Sequence, residues 1–247
     1  MTKRIFIVTG ASGKLGMSFI QELQKRGEVI IAFTRKEVEI EGVKIEKADL
    51  LNEGEITTAF NEMDLSDSNE IYLIHAVGKF KFEGNAADII DLDNDGIDDE
   101  VYATNVLTLK NTIKALLARC TTQAKIKICA FASVSDKHDI PFWNSYTKSK
   151  NIIRGYLKEL CRSARMQALV VNVTTVDTGN ENDLRPHADK TYWLTPDEIV
   201  AKVLPELISL STYKEIDMIK EKPDFDSNYY LDHEAILKKW KSEMGEE

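Results

Sequence analysis

Arg4-Ile5-Phe6-Ile7-Val8-Thr9-Gly10-Ala11-Ser12-Gly13-Lys14-Leu15-Gly16 is the stretch that decides the fold. A short apolar run rich in β-branched residues reads as a buried strand, and three glycines at a spacing of three follow it at once. An amphipathic stretch then runs through Phe19, Ile20 and Leu23 to Gly27, a helix with a glycine C-cap. Strand, glycine turn and helix in that order form a cradle for a dinucleotide. Gly10 permits the tight turn, Gly13 lets backbone approach a pyrophosphate, and Gly16 lets helix pack on strand, while the helix N-terminus offers free N–H groups to the anion. A plain strand-to-helix turn is the alternative, because a glycine triplet alone is a weak signal.

Outward from this turn the same alternation continues. Apolar runs at Val29 to Phe33, Val43 to Lys47, Ile71 to Ala76, Ile126 to Ala132 and Ala168 to Val176 read as further buried strands. Helical patterns lie between them near 15 to 26, 53 to 63, 101 to 118, 144 to 163 and 196 to 209. The expected fold is therefore a Rossmann-like, doubly wound parallel sheet in three α/β/α layers. Thr195-Pro196-Asp197-Glu198 announces the last of these helices with an N-cap Thr, a Pro in the first turn and a Glu that completes a capping box. One domain over 1 to 247 is expected, with a core of about 4 to 210 and a less regular segment from 211 that holds a strand at Glu215 to Ile219. A closing helix from Asp232 carries Ile236, Leu237, Trp240 and Met244 on its apolar side.

With 247 residues, 43% of them hydrophobic, the chain can bury a large core. A net charge of -9 argues against nucleic acid as a main partner. No apolar run approaches the ~20 residues of a membrane span, and the N-terminal stretch is too soon broken by Gly10 for a signal peptide. A cytoplasmic protein with no membrane partner is expected. Cys120, Cys129 and Cys161 are widely spaced in apolar or amphipathic surroundings, so free thiols are expected and no metal site. Asp91-Leu92-Asp93-Asn94-Asp95-Gly96 imitates a calcium loop, but Tyr102 occupies the position that needs a bidentate Glu. A solvated acidic loop is the better reading of 83 to 100.

Tyr146 and Lys150 stand four residues apart on a predicted helix, so phenol and ammonium share one face. Ser133 lies thirteen positions before Tyr146, at the end of a predicted strand. The cation is expected to favour the phenolate and lower the phenol pKa. At the end of the second strand Thr34-Arg35-Lys36 stands where an NAD-preferring site carries an acid. Arg35 suits a 2'-phosphate, with Lys14 reaching it from the turn, so NADP(H) is preferred and NAD(H) remains possible. Glu37 and Glu39 are the residues that could still supply an acid. Asp49, with Leu50 beside it, is placed near the adenine, although an ordinary strand-end Asp reads equally well.

Taken together these residues resemble the short-chain dehydrogenase/reductase family, from Arg4 to about Leu210. The glycine spacing is nearer that of the family's extended and atypical branches, while the catalytic positions match well. The resemblance implies a tetrad of Asn105, Ser133, Tyr146 and Lys150: Tyr146 donating the proton, Lys150 holding the nicotinamide ribose, Ser133 positioning the substrate oxygen, and Asn105 anchoring a water to Lys150. It also implies cofactor contacts from Gly10, Ser12, Gly13, Lys14, Leu15, Gly16, Arg35, Asp49, Leu50, Gly78, Tyr146, Lys150 and Thr178.

Two departures from the family stand out. His75-Ala76-Val77-Gly78 replaces Asn-Asn-Ala-Gly, with His75 read as a satisfied strand-end histidine, and Val173-Thr174 stands where the family often has Pro-Gly. The second suggests a different backbone path on the nicotinamide side. Phe80, Phe82, His138, Trp143, Tyr192 and Trp193 are candidate pocket liners.

The implied activity is reduction of a small carbonyl or oxidation of an alcohol. A nucleotide-binding regulator without turnover, or a nucleotide-sugar epimerase or dehydratase, are the competing functions. A homodimer or homotetramer pairing through the two long helices follows from the resemblance alone.

Overall fold

Alternate residues of the first strand belong to different cores. In the computed structural model, which describes residues 4–65, 70–84, 96–138, 140–222 and 227–246, β1 (Arg4–Thr9) is buried along almost its whole length. Ile5 and Ile7 pack into one apolar cluster, and Phe6 and Val8 into the other. A strand apolar on both faces needs helices on both sides and strands at both edges. β1 has both: it pairs in parallel with β2 (Val29–Thr34) and with β4 (Glu70–His75).

Seven parallel strands are ordered β3-β2-β1-β4-β5-β6-β7, with β3 at Lys44–Lys47, β5 at Lys125–Ser133, β6 at Met166–Val173 and β7 at Lys214–Met218. The α-helices in chain order are α1 (Lys14–Lys25), α2 (Glu53–Asn61), α3 (Asp99–Tyr102), α4 (Thr108–Arg119), α5 (Asn144–Leu160), α6 (Gly179–Leu184), α7 (Pro196–Ile208) and α8 (His233–Met244). One face of the sheet carries α1 and α7, and the other α2, α4 and α5. The short α3 leads through a π-helical turn, Ala103–Leu107, into α4. The expected three-layer fold is therefore the observed one. The capping box at Thr195 is also present, with Glu198 N–H donating to the Thr195 hydroxyl at 3.2 Å.

Strand order reverses between β1 and β4, which opens a crevice at their C-terminal ends. Gly10, with φ +72°, is so close to the end of β4 that a Cβ there would lie 2.7 Å from the Ala76 carbonyl oxygen. At Gly16 a Cβ would stand 2.4 Å from the Gly10 carbonyl oxygen, so helix and turn touch through backbone alone.

Two boundaries differ from expectation. β6 ends at Val173 rather than Val176: Thr174 N–H still donates to Met218 O at 3.1 Å, but Thr175 O turns away to accept from Leu194 N–H at 2.8 Å. Between the helical patterns expected at 144 to 163 and 196 to 209 the structure adds the short α6. Beyond β7, α8 does not extend the core but joins a third apolar cluster, in which Ile236 and Trp240 pack with Ile140, Phe142 and Trp143. Residues 91 to 95 of the calcium-like segment lie outside the described residues. No described helix is long and apolar enough to cross a membrane.

Candidate functional site

The crevice continues from the glycine turn along the C-terminal ends of β4, β5 and β6 as a cleft of about 430 Å³. Its outer end is lined by Gly13, Lys14 and Leu15, its middle by Gly78, Ser133, Tyr146, Lys150 and Thr178, and its inner end by aromatic rings. Gly13 is the N-cap of α1 and no side chain caps that end. The first amides of α1 are thus open to an anion laid along the cleft, a fit for a dinucleotide pyrophosphate. Ser12 is exposed beside them.

The other expected cofactor residues divide. Arg35 follows β2 directly and is exposed, with no ion pair to a described residue. The Lys14 ammonium meets Asp177 at 3.3 Å, across the cleft. The Asp49 carboxylate accepts from Leu51 N–H at 3.0 Å, an Asx turn, and Leu50 is buried. Thr178 is the N-cap of α6 without using its side chain as a cap.

A cluster of polar residues forms where β5 and α5 approach. Buried Glu83 accepts from Ser145 N–H at 3.0 Å and from the Ser145 hydroxyl, placing a carboxylate at the N-terminus of α5. That fixes the first turn, which carries Tyr146. One turn on, buried Lys150 stands 5.1 Å from the centre of the Tyr146 ring and donates to Phe131 O at 3.0 Å. Ser133 ends β5, hydrogen-bonds Tyr146, and lies 2.7 Å from the Ser135 hydroxyl. Asp136 caps Ser133 N–H and meets Arg154 at 2.8 Å.

Asn105, fully buried in the π turn, donates to Lys79 O and to the Ser149 hydroxyl, each at 2.9 Å, and accepts from Lys79 N–H at 2.7 Å. Its side chain is thus spent on the Gly78 loop and on α5, one residue short of Lys150. A Cβ at Gly78 would lie 3.6 Å from both the Asn105 oxygen and the Lys150 nitrogen.

The electrostatics correct one expectation. Burial pushes the Tyr146 phenol well above its ordinary value; the carboxylates of Glu181 and Asp136 push the same way, and the Ser133 hydrogen bond opposes them. The loss of water around a phenolate in this wall decides the sign, and the Lys150 ammonium is not among the influences on it. Burial also pulls Lys150 down to about 8, with Asp136 opposing. Between about 8 and the ordinary 10.5 the unfolded chain holds the extra proton, so stability rises with pH across that window. Below it the folded state carries a penalty of about 3 kcal/mol. Lys150→Met is therefore expected to raise the thermal midpoint at pH 7, with the gain shrinking above pH 8; a lowered midpoint in calorimetry would contradict this.

His75 takes no part in the cleft. The Thr108 hydroxyl donates to Thr104 O, so it accepts from His75 Nε2–H at 3.2 Å, and Thr9 donates to Nδ1 at 2.8 Å. Both nitrogens are satisfied, and burial, helped by the Lys150 charge, pulls its pKa to about 3.

Of the expected liners Phe80, Trp143, Tyr192 and Trp193 line the inner end. Phe82 stacks on Trp240 instead, and His138 on Tyr230 at 4.3 Å. Sequence reading missed Glu181, Arg185, Tyr229, Tyr230, Trp240 and Glu243, all of which line the cleft. The amphipathic pattern of α8 signalled that Trp240 is buried, not where. Among the described residues no group of three or more His, Cys, Asp or Glu could hold a metal ion.

Comparison with known proteins agrees with this fold. The family model described as short chain dehydrogenase matches residues 4–188. Among solved structures, serine dehydrogenase in its closed form with NADP+ superposes with a TM-score of 0.73 at 17% identity, covering 90% of this chain and 98% of that one. A 4-hydroxyisoleucine dehydrogenase complexed with NADH gives 0.68 at 20%, covering 87% and 96%. A short-chain oxidoreductase from Thermus thermophilus gives 0.64 at 27%, covering 83% and 95%. No curated protein matches the chain.

Proposed function

Since this chain belongs to the short-chain dehydrogenase family, an oxidoreductase family, we propose that it moves hydride between NADP(H), ahead of NAD(H), and a small to medium carbonyl or alcohol, with Tyr146 as proton donor. The observation that carries the reading is the meeting of Ser133, Tyr146 and Lys150 in one cleft with the glycine turn. Gly10, Ser12, Gly13, Leu15 and Gly16 would hold the pyrophosphate with backbone amides, with Lys14 above it. Gly78 and Thr178 would border the nicotinamide half, and Lys150 its ribose. When bound, the nicotinamide supplies the hydride.

The chain's own part is to receive charge and deliver a proton. As hydride reaches the carbonyl carbon, negative charge gathers on oxygen, where the Ser133 hydroxyl donates a hydrogen bond and the Tyr146 O–H transfers its proton. Burial keeps that phenol protonated until needed. Lys150, at about 8 and so readily gaining or losing a proton near neutrality, is suited to restoring the phenol. Asn105 holds the Gly78 loop against α5, so it acts by positioning. Pairing of two copies through α4 and α5 is part of the same proposal.

Cofactor choice rests on Arg35, exposed at the end of β2 with no acid replacing it there. Arg35→Ala is expected to weaken NADPH about tenfold, as a lost charge-assisted hydrogen bond would, and NADH much less. Titration of both cofactors measures this, and equal losses would remove the 2'-phosphate assignment. A screen of aldehydes, ketones and quinones tests the activity itself; tight NADPH binding with no carbonyl turned over would favour the regulatory alternative.

A further inference from the structure

Tyr146, Lys150 and Arg154 follow one another at intervals of four on α5, so all three lie along one face of the helix. Arg154 uses that place to join several parts of the fold. Its Nε donates to Glu215 on β7 at 3.0 Å and one terminal nitrogen to Asn151 on α5 at 2.9 Å. The other terminal nitrogen donates to Asn172 on β6 at 2.7 Å and pairs with Asp136 at 2.8 Å. These partners fix the guanidinium in place.

Asp136 is the innermost of them. Its side chain is entirely buried, in the turn Val134–Lys137 that follows β5. That turn is docked on α5 next to Lys150, where Asn151 donates to Asp136 O at 3.5 Å. Oδ2 of the carboxylate faces Arg154 and caps Ser133 N–H, while Oδ1 is buried with no hydrogen-bond partner. A carboxylate buried with one oxygen unanswered destabilises the fold, and its presence calls for a reason beyond closing a turn.

Lys150 needs such a group. Its ammonium is buried and forms no ion pair among the described residues; its hydrogen bond goes to Phe131 O. The other charged groups near it are engaged elsewhere: Glu181 on α6 pairs with Arg185, Lys79 beside Gly78 with Glu100, and Glu83 accepts from Ser145. Tyr146 and His75 are uncharged at neutral pH. Asp136 is the carboxylate that acts on the Lys150 charge, against the effect of burial. Burial also raises the pKa of Asp136 itself, and Arg154 holds it down.

We infer that Asp136, kept ionised by Arg154, is the counter-charge that holds Lys150 protonated beside Tyr146. Asp136 is thus a positioning residue that acts through Lys150, and its part in turnover rests on the proposed hydride-transfer reading. Its electrostatic effect is measurable without that reading. With the Asp136 charge removed, the buried ammonium is less well compensated and Lys150 holds its proton in the folded chain only to a lower pH. The stability lost to the charged form at pH 7 then grows. Arg154→Met should act in the same direction, because an unpaired buried carboxyl takes up a proton.

The test is a set of thermal midpoints measured by calorimetry on the full chain. Lys150→Met is made alone and together with Asp136→Asn, Arg154→Met or Arg154→Lys, and the gain from the methionine is read in each background. At pH 7 that gain should be larger by about 3 °C with Asp136→Asn than in the unaltered chain. Arg154→Met should enlarge it similarly, and Arg154→Lys, which keeps the pair charged, should leave it as it was. At pH 9 Lys150 has largely lost its proton in the folded chain, so all the gains should converge. Altered packing would not fade with pH in this way.

Equal gains at pH 7 with and without Asp136→Asn, or an excess that persists at pH 9, would overturn the inference. Should Asp136→Asn fail to fold, Arg154→Met set against Arg154→Lys carries the same comparison. If the excess is absent while the unaltered enzyme reduces a carbonyl, the counter-charge fails and the activity stands. If the excess is present but no carbonyl is ever reduced, the counter-charge stands and the proposed activity fails.

Discussion

Replacing Tyr146 with Phe is expected to lower kcat for carbonyl reduction by about a thousandfold, within the range a positioned general acid supplies. The substitution removes one oxygen. It keeps the ring that meets Phe80 edge-on and leaves α5, anchored by Glu83 on Ser145, in place, so the fold and the cofactor affinity should change little. What disappears is the only O–H in the cleft that both contacts Ser133 and stands beside Lys150 among the described residues. The raised phenol pKa strengthens the expectation, because a group that stays protonated through neutrality is an acid before it is anything else. Oxidation of the alcohol runs the other way and needs a phenolate, so its rate should climb with pH over a range where reduction is already level. Initial rates in both directions with one cofactor decide the matter. Full activity in the Phe variant would mean the proton comes from elsewhere.

That prediction shows where sequence reading reached and where it stopped. The four-residue spacing of Tyr146 and Lys150 translates directly into one helix face, and the structure has it. The sign of the phenol shift could not be read the same way, since it depends on Glu181 and Asp136, which approach through tertiary packing, and on the loss of water around the ring. Likewise the glycine turn and the Thr195 capping box are local, closing within a few residues, and both were legible.

The inner wall of the cleft was not. Trp240 meets Phe80 across more than half the chain, and Lys14 meets Asp177 across 163 positions. An amphipathic pattern fixes which side of α8 is buried but carries no address for it. Glu181 and Arg185, an i,i+4 pair, offered a readable hint of a short helix. The surrounding polar run Gly-Asn-Glu-Asn-Asp-Leu concealed it.

The glycine turn yields the second large effect, and two substitutions separate its two duties. At Gly16 an alanine Cβ would sit 2.4 Å from the Gly10 carbonyl oxygen and 2.9 Å from its carbon, both backbone atoms with nowhere to yield. Helix α1 must then lift from β1, against the packing of Phe19, Ile20 and Leu23. A cost of about 3 kcal/mol is expected from such overpacking, and the amides at the start of α1 move with the helix, so NADPH binding should fall by at least a hundredfold. Gly13→Ala differs in kind. Gly13 has φ -84°, open to any residue. Its Cβ would be 3.3 Å from the Gly10 oxygen, and the position is exposed in the cleft. The protein should fold almost as before while the added methyl occupies the path of the pyrophosphate. Denaturant unfolding and cofactor titration, run on both variants, should therefore diverge: Gly16→Ala loses stability and binding together, and Gly13→Ala loses binding alone. If Gly13→Ala bound NADPH as tightly as the unaltered chain, no phosphate could lie against that residue, and the cradle assigned to residues 10 to 16 would have to be abandoned.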